Sequence, residues 1–306
     1  MPSAGEISAQ VASESERRGR LAVPALAGGV LYLLGSIIVA STLKGAPTVG
    51  LVEGLSPALS GVANPAVSPR AAEVKFISHH AFALITGSLI AALAIGALTL
   101  ALLLILDATL FRRPQAWSAA RPLVLFGGTA FALVSVGHQI VSAIETHSFA
   151  VGHDLSNHAV DQALTKGALN VAVGYVDLLA GLALAAGMIG VMVNAMRVGL
   201  FPRWMSFLGM FTAVLIFLPI GGAELEVVPA FWMVGIGILF YGKWPNGDPP
   251  AWAAGEARPW PSAAEQRAAK QGGQPALASA AGDFAPAAQP MSNGSSRKRR
   301  KRGKRS

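Results

Sequence analysis

Six long apolar runs divide this sequence, and they restrict its possible folds more than any other feature. The runs cover residues 21–42, 81–105, 122–144, 167–196, 205–221 and 227–241. A helix needs about 20 predominantly apolar residues to cross the hydrocarbon core of a bilayer. Backbone polar groups in lipid must be satisfied within the segment, which favours a helix for each run. The sequence therefore predicts an all-α polytopic membrane protein, a bundle of six transmembrane helices over residues 21–242.

The composition supports a membrane protein and excludes several kinds of site. Hydrophobic residues make up 53% of the chain and charged residues 13%, whereas about a quarter of a soluble globular protein is charged. There are no cysteines, so disulfides, thiolate metal sites and cysteine nucleophiles are excluded. We find no motif that specifies a reaction, which favours a protein that is not an enzyme.

The basic residues are concentrated on one side of the predicted spans. If the first gap between runs is outside the cell and the sides then alternate, only four of the 24 Lys and Arg residues lie outside. These four are Lys44, Arg70, Lys75 and Lys166. Lys and Arg are retained in the cytoplasmic segments of membrane proteins. We therefore expect both termini in the cytoplasm.

The segments that flank the spans are polar or rich in Pro and Gly. Residues 1–20 are expected to be a cytoplasmic segment, either disordered or a short surface helix. The gap 43–78 contains four prolines, which argue against one long helix and favour an ordinary extracellular loop, with a re-entrant or surface helix over residues 49–59 as the alternative. Residues 243–306 are predicted to be a disordered cytoplasmic tail, because such a composition cannot offset the entropy of ordering. Trp244, Trp252 and Trp260 are expected to form an interfacial collar.

Polar residues interrupt the third and fourth runs along one helical face each. They are Ser135, His138, Ser142 and Glu145 in the third run, and Asn170 and Asp177 in the fourth. Residues three or four apart share a helical face, and consecutive spans are usually antiparallel neighbours. Counted from the shared outer loop, His138 lies about 9 Å deep and Asp177 about 15 Å deep. A contact between His138 and Asp177, with Asn170 nearby, is therefore predicted.

Asp177 has two interpretations. A carboxylate near the bilayer centre costs at least about 2.5 kcal/mol to insert, so it should face the bundle or a wet cavity. It could bind a proton or a cation, or it could hydrogen-bond Asn170, Tyr175 or His138 to hold the helices together. The leading functional hypothesis is a transport or permeation protein whose polar seam lies between spans three and four.

The histidines suggest a different type of site. His147, His153, Asp154, His158 and Asp161 fall within one outer loop. Imidazole and carboxylate groups suit zinc, copper or nickel, which makes an outer-face metal protein a further hypothesis. The spacing matches no defined metal motif, so solvated loop residues are the alternative. A haem held by His138 together with His79 or His80 is another hypothesis.

The chain ends in a strongly basic cluster. Its members are Arg297, Lys298, Arg299, Arg300, Lys301, Arg302, Lys304 and Arg305. Beside a membrane, such a cluster is attracted to anionic lipid headgroups by about 1 kcal/mol per residue. Another polyanion is the alternative partner, but without aromatic residues or a folded platform, sequence-specific recognition of nucleic acid is not expected. The tail therefore suggests a membrane anchor or assembly factor, or a segment that only fixes orientation.

The last two runs and the segment after them carry a family resemblance. Residues 194–205 read NAMRVGLFPRWM, residues 244–252 read WPNGDPPAW and residues 258–261 read RPWP. These motifs, within about residues 194–261, resemble uncharacterised multi-pass membrane proteins of high-GC bacteria. The resemblance implies a protein of the bacterial cytoplasmic membrane and brings no catalytic residues.

Overall fold

The computed structural model describes residues 3–59, 61, 67–218, 225–245, 247–260 and 267, and these residues are predominantly helical. The helices are α1 (Ala4–Lys44), α2 (Leu51–Leu59), α3 (Ala71–His79), α4 (Ala81–Arg112), α5 (Ala120–Val151), α6 (Asn157–Asp161), α7 (Ala168–Val198), α8 (Arg203–Phe217), α9 (Val227–Phe240) and α10 (Pro250–Ala254). A π-helical turn, Gln162–Lys166, joins α6 to α7. The β-structure within the described ranges is a single bridge between Val67 and Leu155. The predicted all-α class is confirmed.

Among the described residues, four helical segments are long and apolar enough to cross a membrane. They are α1, α4, α5 and the continuous unit Asn157–Val198 that contains α7. The last two apolar runs form shorter helices, α8 with 15 residues and α9 with 14. At 1.5 Å per residue they extend about 22 and 21 Å, less than the hydrocarbon thickness of about 30 Å. The structure therefore has four candidate spans and one pair of short apolar helices.

Ion pairs join several helix ends at one end of the bundle, which we call the arginine end. Asp107 of α4 accepts from Arg17 of α1 at 3.0 Å and from Arg121 of α5 at 2.7 Å. Arg112 of α4 makes two hydrogen bonds to the Glu14 carboxylate of α1, at 2.8 and 2.7 Å. These segments were expected to share one side of the membrane, and the structure brings them together. We call the opposite end, which carries α3 and α6, the loop end.

Residues 3–20 belong to α1 and are neither disordered nor a separate surface helix. A capping box starts the helix, in which Ser3 accepts from the Glu6 backbone N–H and the Glu6 carboxylate accepts from the Ser3 backbone N–H. Further along, the side chains of Glu14 and Arg112 are 2% and 0% exposed. Their pairing holds this part of α1 against the bundle, so the helix continues without a break to Lys44.

Residues 247–260, the C-terminal strap, are ordered against the arginine end, in contrast to the disordered tail that the composition predicted. Trp252 is 3% exposed, and its indole N–H donates to the Leu200 carbonyl at 3.0 Å. The guanidinium carbons of Arg18 and Arg112 lie 4.6 and 5.6 Å from the centre of the Trp252 ring. Trp252 is thus buried within the protein and is not part of an interfacial collar. Burial of this one tryptophan against two guanidinium groups stabilises the segment, although its average composition is polar.

The short helices α8 and α9 pack inside the arginine half of the bundle. Trp232 of α9 is fully buried, and its indole N–H donates to the Met205 carbonyl of α8 at 3.0 Å. Helix α9 runs antiparallel to α1 at very close approach. A Cβ atom added at Gly29 would lie 2.6 Å from the Ala230 carbonyl oxygen, and one added at Gly237 would lie 2.6 Å from the Leu26 nitrogen. Only glycine permits this separation, which fixes the register of α9 along α1.

That register places the start of α9 near the middle of α1. At the arginine end, the Leu239 carbonyl accepts from Arg18 at 2.6 Å. At the other end of α9, the carboxylate of Glu226 lies close enough to the Tyr32 hydroxyl of α1 to interact with it, and both residues line one cavity. Tyr32 lies 14 residues from Arg18 and 12 from Lys44, about 21 and 18 Å along the helix. Glu226 falls in the gap between the last two apolar runs, which the alternation of sides would put outside the membrane, whereas the structure places it at mid-height of the bundle.

Candidate functional site

The facing surfaces of α5 and α7 carry a pair of hydrogen-bonded polar side chains near the loop end. The Asn170 amide donates to the Glu145 carboxylate and also to the Ala163 carbonyl, the second bond at 3.1 Å. Gly167 allows the carboxylate to approach, since a Cβ atom at this position would lie 2.6 Å from the Glu145 Cδ atom. Asn170 is only 6% exposed, and its Oδ1 atom has no hydrogen-bond partner.

A second pair lies two helical turns further into the bundle. His138 precedes Glu145 by seven residues on α5, and Asp177 follows Asn170 by seven on α7, which is about 10.5 Å in each antiparallel helix. His138 acts on Asp177 electrostatically, but no ion pair or hydrogen bond joins the two side chains in the described structure, so the predicted direct contact is not formed. Both side chains are half-buried, and Asp177 Oδ1 is buried with no hydrogen-bond partner among the described residues. The four residues therefore form a ladder with two rungs, which we call the polar seam.

The two serines predicted for the seam are placed differently. Ser142 lies on α5 between the two rungs, and its carbonyl accepts from Thr146 at 2.7 Å. Ser135 donates to the Ala132 carbonyl at 3.1 Å and lines a separate cavity on the α1 and α4 side of α5. The structure thus brings together His138, Glu145, Asn170 and Asp177, but not Ser135.

A cavity of about 580 Å³ opens beside the outer rung of the seam. Its walls come from the end of α5, from α6 and the π-helical turn, and from the start of α7. Glu145 contributes a carboxylate to the cavity, and His153 and Asp154 lie at its edge. The cavity therefore gives a solute at the loop end access to the Glu145–Asn170 rung.

The five candidate metal ligands of the outer loop do not converge. His147, His153 and His158 are exposed. Asp154 accepts from the Ser156 backbone N–H at 2.9 Å, and Asp161 pairs with Lys166 at 2.7 Å. In the part of the chain that the structure describes, no three His, Cys, Asp or Glu side chains are grouped to hold a metal ion. The hydrogen bond from Ser156 also holds the pKa of the Asp154 carboxyl below its usual range.

The histidines proposed as haem ligands lie in different settings. His79 is exposed at the end of α3. His80 stacks on Phe76 with ring centres 4.0 Å apart, and its Nδ1 atom lies 2.9 Å from the Phe76 carbonyl oxygen. His138 belongs to the seam beside Asp177. Haem binding stays a prediction, and so does lipid binding by residues 297–305, which lie outside the described residues.

A second cavity, of about 350 Å³, contains polar residues that the sequence analysis missed. It lies between α1, α4 and α5, with Tyr32 and Glu226 both in its wall. Ser36, Ser88, Ser135 and Gln139 supply the other polar groups. The sequence feature that could have revealed these residues is the short length of the last two apolar runs. Helices of this length place the turn between them inside a bundle whose other helices are longer.

In the part of the chain that the structure describes, these features define a helical protein with four helices suited to crossing a membrane and with ionisable side chains between them. No family model, no curated protein and no solved structure matches this chain. The functional assignment must therefore come from the site itself.

Proposed function

We propose that this chain is a transport or permeation protein in which the polar seam carries a proton or a small cation. The observation that carries the proposal is the Asp177 carboxylate, which has a buried oxygen without a hydrogen-bond partner and a histidine opposite. A carboxylate that only held helices together would be satisfied by hydrogen bonds. Chains of Asp, Glu and His within membranes are typical of proton relays and ion pathways.

The direction of the seam supports the same proposal. Glu145 faces the cavity at the loop end, and Asp177 lies about two turns deeper. A proton or cation entering from the loop end would meet the carboxylate of Glu145 first and the His138–Asp177 pair next. Below that level, Phe131 of α5 contacts Gly181 of α7, where a Cβ atom would lie 3.3 Å from the phenyl ring. This apolar contact closes the seam toward the arginine end.

The proposed topology places the arginine end in the cytoplasm, as expected for a side rich in Lys and Arg. Both termini are then cytoplasmic, and the six apolar segments all enter the bilayer. Six complete crossings would require α8 and α9 to span it with about 22 and 21 Å of helix, in a locally thinned bilayer. If α8 and α9 instead form a hairpin that enters from the arginine end, both termini stay on the same side. We assign the protein to the bacterial cytoplasmic membrane, on the resemblance of residues 194–261.

The seam is tested by ion flux in proteoliposomes. The purified protein is reconstituted with a trapped pH-sensitive dye, and a potassium diffusion potential drives proton entry. We expect Asp177→Asn to lower the protein-dependent flux at least about ten-fold, the effect of about 1.4 kcal/mol on the limiting step. Glu53→Gln, an exposed carboxylate on α2, is the matched control and should leave the flux unchanged.

The melting temperature of Asp177 variants distinguishes a transport role of this residue from a packing role. Asp177→Leu removes the cost of a buried carboxylate, so we expect it to raise the melting temperature while abolishing flux. The proposal fails if the wild-type protein carries no flux of protons, of sodium or of potassium, with each ion tested alone. It also fails if both Asp177 variants conduct as wild type does.

For the basic tail we propose binding to anionic lipid headgroups on the cytoplasmic side. The ordered strap ends at this side of the bundle, since the Arg258 backbone N–H donates to the Val198 carbonyl at 3.0 Å. Full-length protein in zwitterionic nanodiscs should sediment with anionic vesicles at low salt, and a variant lacking residues 297–306 should not. Equal sedimentation of both proteins would contradict this proposal, and stronger binding to an oligonucleotide would favour another polyanion.

A further inference from the structure

We propose that the cavity between α1, α4 and α5 binds a monovalent organic cation, an ammonium group attached to an apolar body. The cavity is separate from the polar seam, because α5 lies between them. Its binding function does not depend on ion flux through the seam. Four observations support this assignment: the carboxylate of Glu226, its position, the character of the walls and the size of the cavity.

The charge of the cavity comes from Glu226. Among the described residues that line it, this carboxylate is the only ionisable acid and no residue is basic. The Tyr32 hydroxyl lies beside Glu226 and brings no positive charge. A carboxylate in an apolar wall is stabilised by a cation close to it. An ammonium group, whether quaternary or protonated, would supply the missing positive charge.

The position of Glu226 makes an unpaired charge costly. It lies at the level of Tyr32, about 18 Å along α1 from Lys44 and about 21 Å from Arg18. An ionisable residue at such depth in a membrane protein usually has a partner or a functional role. Tyr32 is only 8% exposed and is neutral, so it does not compensate the charge. A cationic ligand would compensate it.

The walls favour an organic cation over a metal ion. Val39, Leu43, Ala91, Ile95 and Phe131 provide apolar surface. Hard metal cations need about six oxygen ligands close together, whereas the cavity offers one carboxylate. The Ser88 hydroxyl already donates to the Ile85 carbonyl at 2.9 Å, and Ser135 to Ala132. The faces of Tyr32 and Phe131 can instead contact an alkylammonium through cation–π interactions.

The remaining polar groups and the volume set the size of the ligand. The Gln139 amide has no hydrogen-bond partner among the described residues, so it is available at the wall of the cavity. A cavity of about 350 Å³ is at the small end of ligand sites, which are typically about 300–1,000 Å³. The expected ligand is therefore a compact molecule with one cationic group and one aromatic or branched aliphatic group.

Binding is tested by calorimetry on the purified full-length protein with benzyltrimethylammonium as the probe. Its uncharged carbon analogue, neopentylbenzene, is the matched ligand control. We expect saturable binding of the cation and at least about ten-fold weaker binding of the neutral analogue. Glu226→Gln should weaken cation binding at least about ten-fold, because it removes the negative charge of the cavity. Glu53→Gln, an exposed carboxylate on α2, should not change the affinity.

A second variant keeps the test valid if Glu226→Gln does not fold. Ala40→Leu adds bulk to the cavity wall without changing a charge, and we expect it to weaken binding as well. Competition by a short-chain phosphatidylcholine would identify a lipid headgroup as the source of the ammonium, and its absence would identify a free solute. The proposal is overturned if wild type shows no saturable binding, if both ligands bind equally, or if the folded cavity variants bind as wild type does.

Discussion

The side-chain amide of Asn170 donates to the carboxylate of Glu145 across the interface between α5 and α7. This contact sets the register of the two helices, because His138 and Asp177 then face each other seven residues further along each chain. Gly167 contributes to the contact by leaving space for the carboxylate. The outer rung therefore positions the inner one, although the two pairs lie about 10.5 Å apart.

Gly167→Ala tests that dependence. The new methyl group would lie 2.6 Å from the Glu145 Cδ atom, so the flexible carboxylate should swing away and lose its bond to Asn170. We expect a loss of about 1–3 kcal/mol, the cost of leaving a buried polar group unsatisfied, measured by thermal unfolding in detergent. Gly174→Ala on α7 is the control, since a Cβ atom there meets nothing within 4 Å. An equal effect of both substitutions would contradict this role of Gly167.

The ion pair between Glu14 and Arg112 gives a second prediction. Both side chains are almost fully buried, and Arg112 also donates to the Ala251 carbonyl of the strap at 3.0 and 2.9 Å. Arg112→Met leaves the Glu14 carboxylate buried without its partner and should destabilise the fold by about 3–5 kcal/mol.

The double variant Glu14→Leu with Arg112→Met should recover most of that loss, because it removes both buried charges. Unfolding in denaturant measures all three free energies as a double-mutant cycle. If the double variant is as unstable as the sum of the single variants, the two residues do not act as a pair.

The sequence predicted the helical class for reasons that hold generally, and the polar seam stays a prediction, of which the structure shows the Glu145–Asn170 contact. Apolar runs that cannot satisfy their backbone in lipid must be helical, and antiparallel helices with polar residues at matching intervals bring them together. It did not predict the position of Glu226, because the interpretation took every apolar run as a full crossing. The sequence did not predict the strap, because the prediction used the average composition of the segment and not the single residue Trp252. The residues that contact Trp252, Arg18 and Arg112, are also distant from it in sequence.

Asp154 gives a prediction about pH. Its carboxylate accepts from the Ser156 backbone N–H, and this bond lowers its pKa from the ordinary value of 3.8. A lowered pKa in the folded state stabilises the fold above the unfolded pKa, and that contribution is lost as the pH falls through the folded value. The advantage of wild type over Asp154→Asn in melting temperature should therefore shrink between pH 6 and pH 3. Asp154→Ala removes the acceptor at every pH and serves as the control. A wild-type advantage that does not change with pH would rule out this contribution.

The final prediction concerns orientation and uses the absence of native cysteines. Any introduced cysteine is the only thiol in the chain, so a membrane-impermeant maleimide reports its side without ambiguity. His153 is exposed at the loop end, and Gln115 is exposed between α4 and α5 at the arginine end. In intact cells of a bacterial expression host, His153→Cys should be labelled at once and Gln115→Cys only after permeabilisation.

The expected result follows from the distribution of charge. The arginine end carries most of the Lys and Arg, and such segments are retained in the cytoplasm during insertion. Labelling of Gln115→Cys but not of His153→Cys in intact cells would invert the topology, and the polar seam would then open toward the cytoplasm. Labelling of both from one side would show that α5, which joins Gln115 to His153, does not cross the membrane. The proposed entry of protons or cations from outside therefore depends on this measurement.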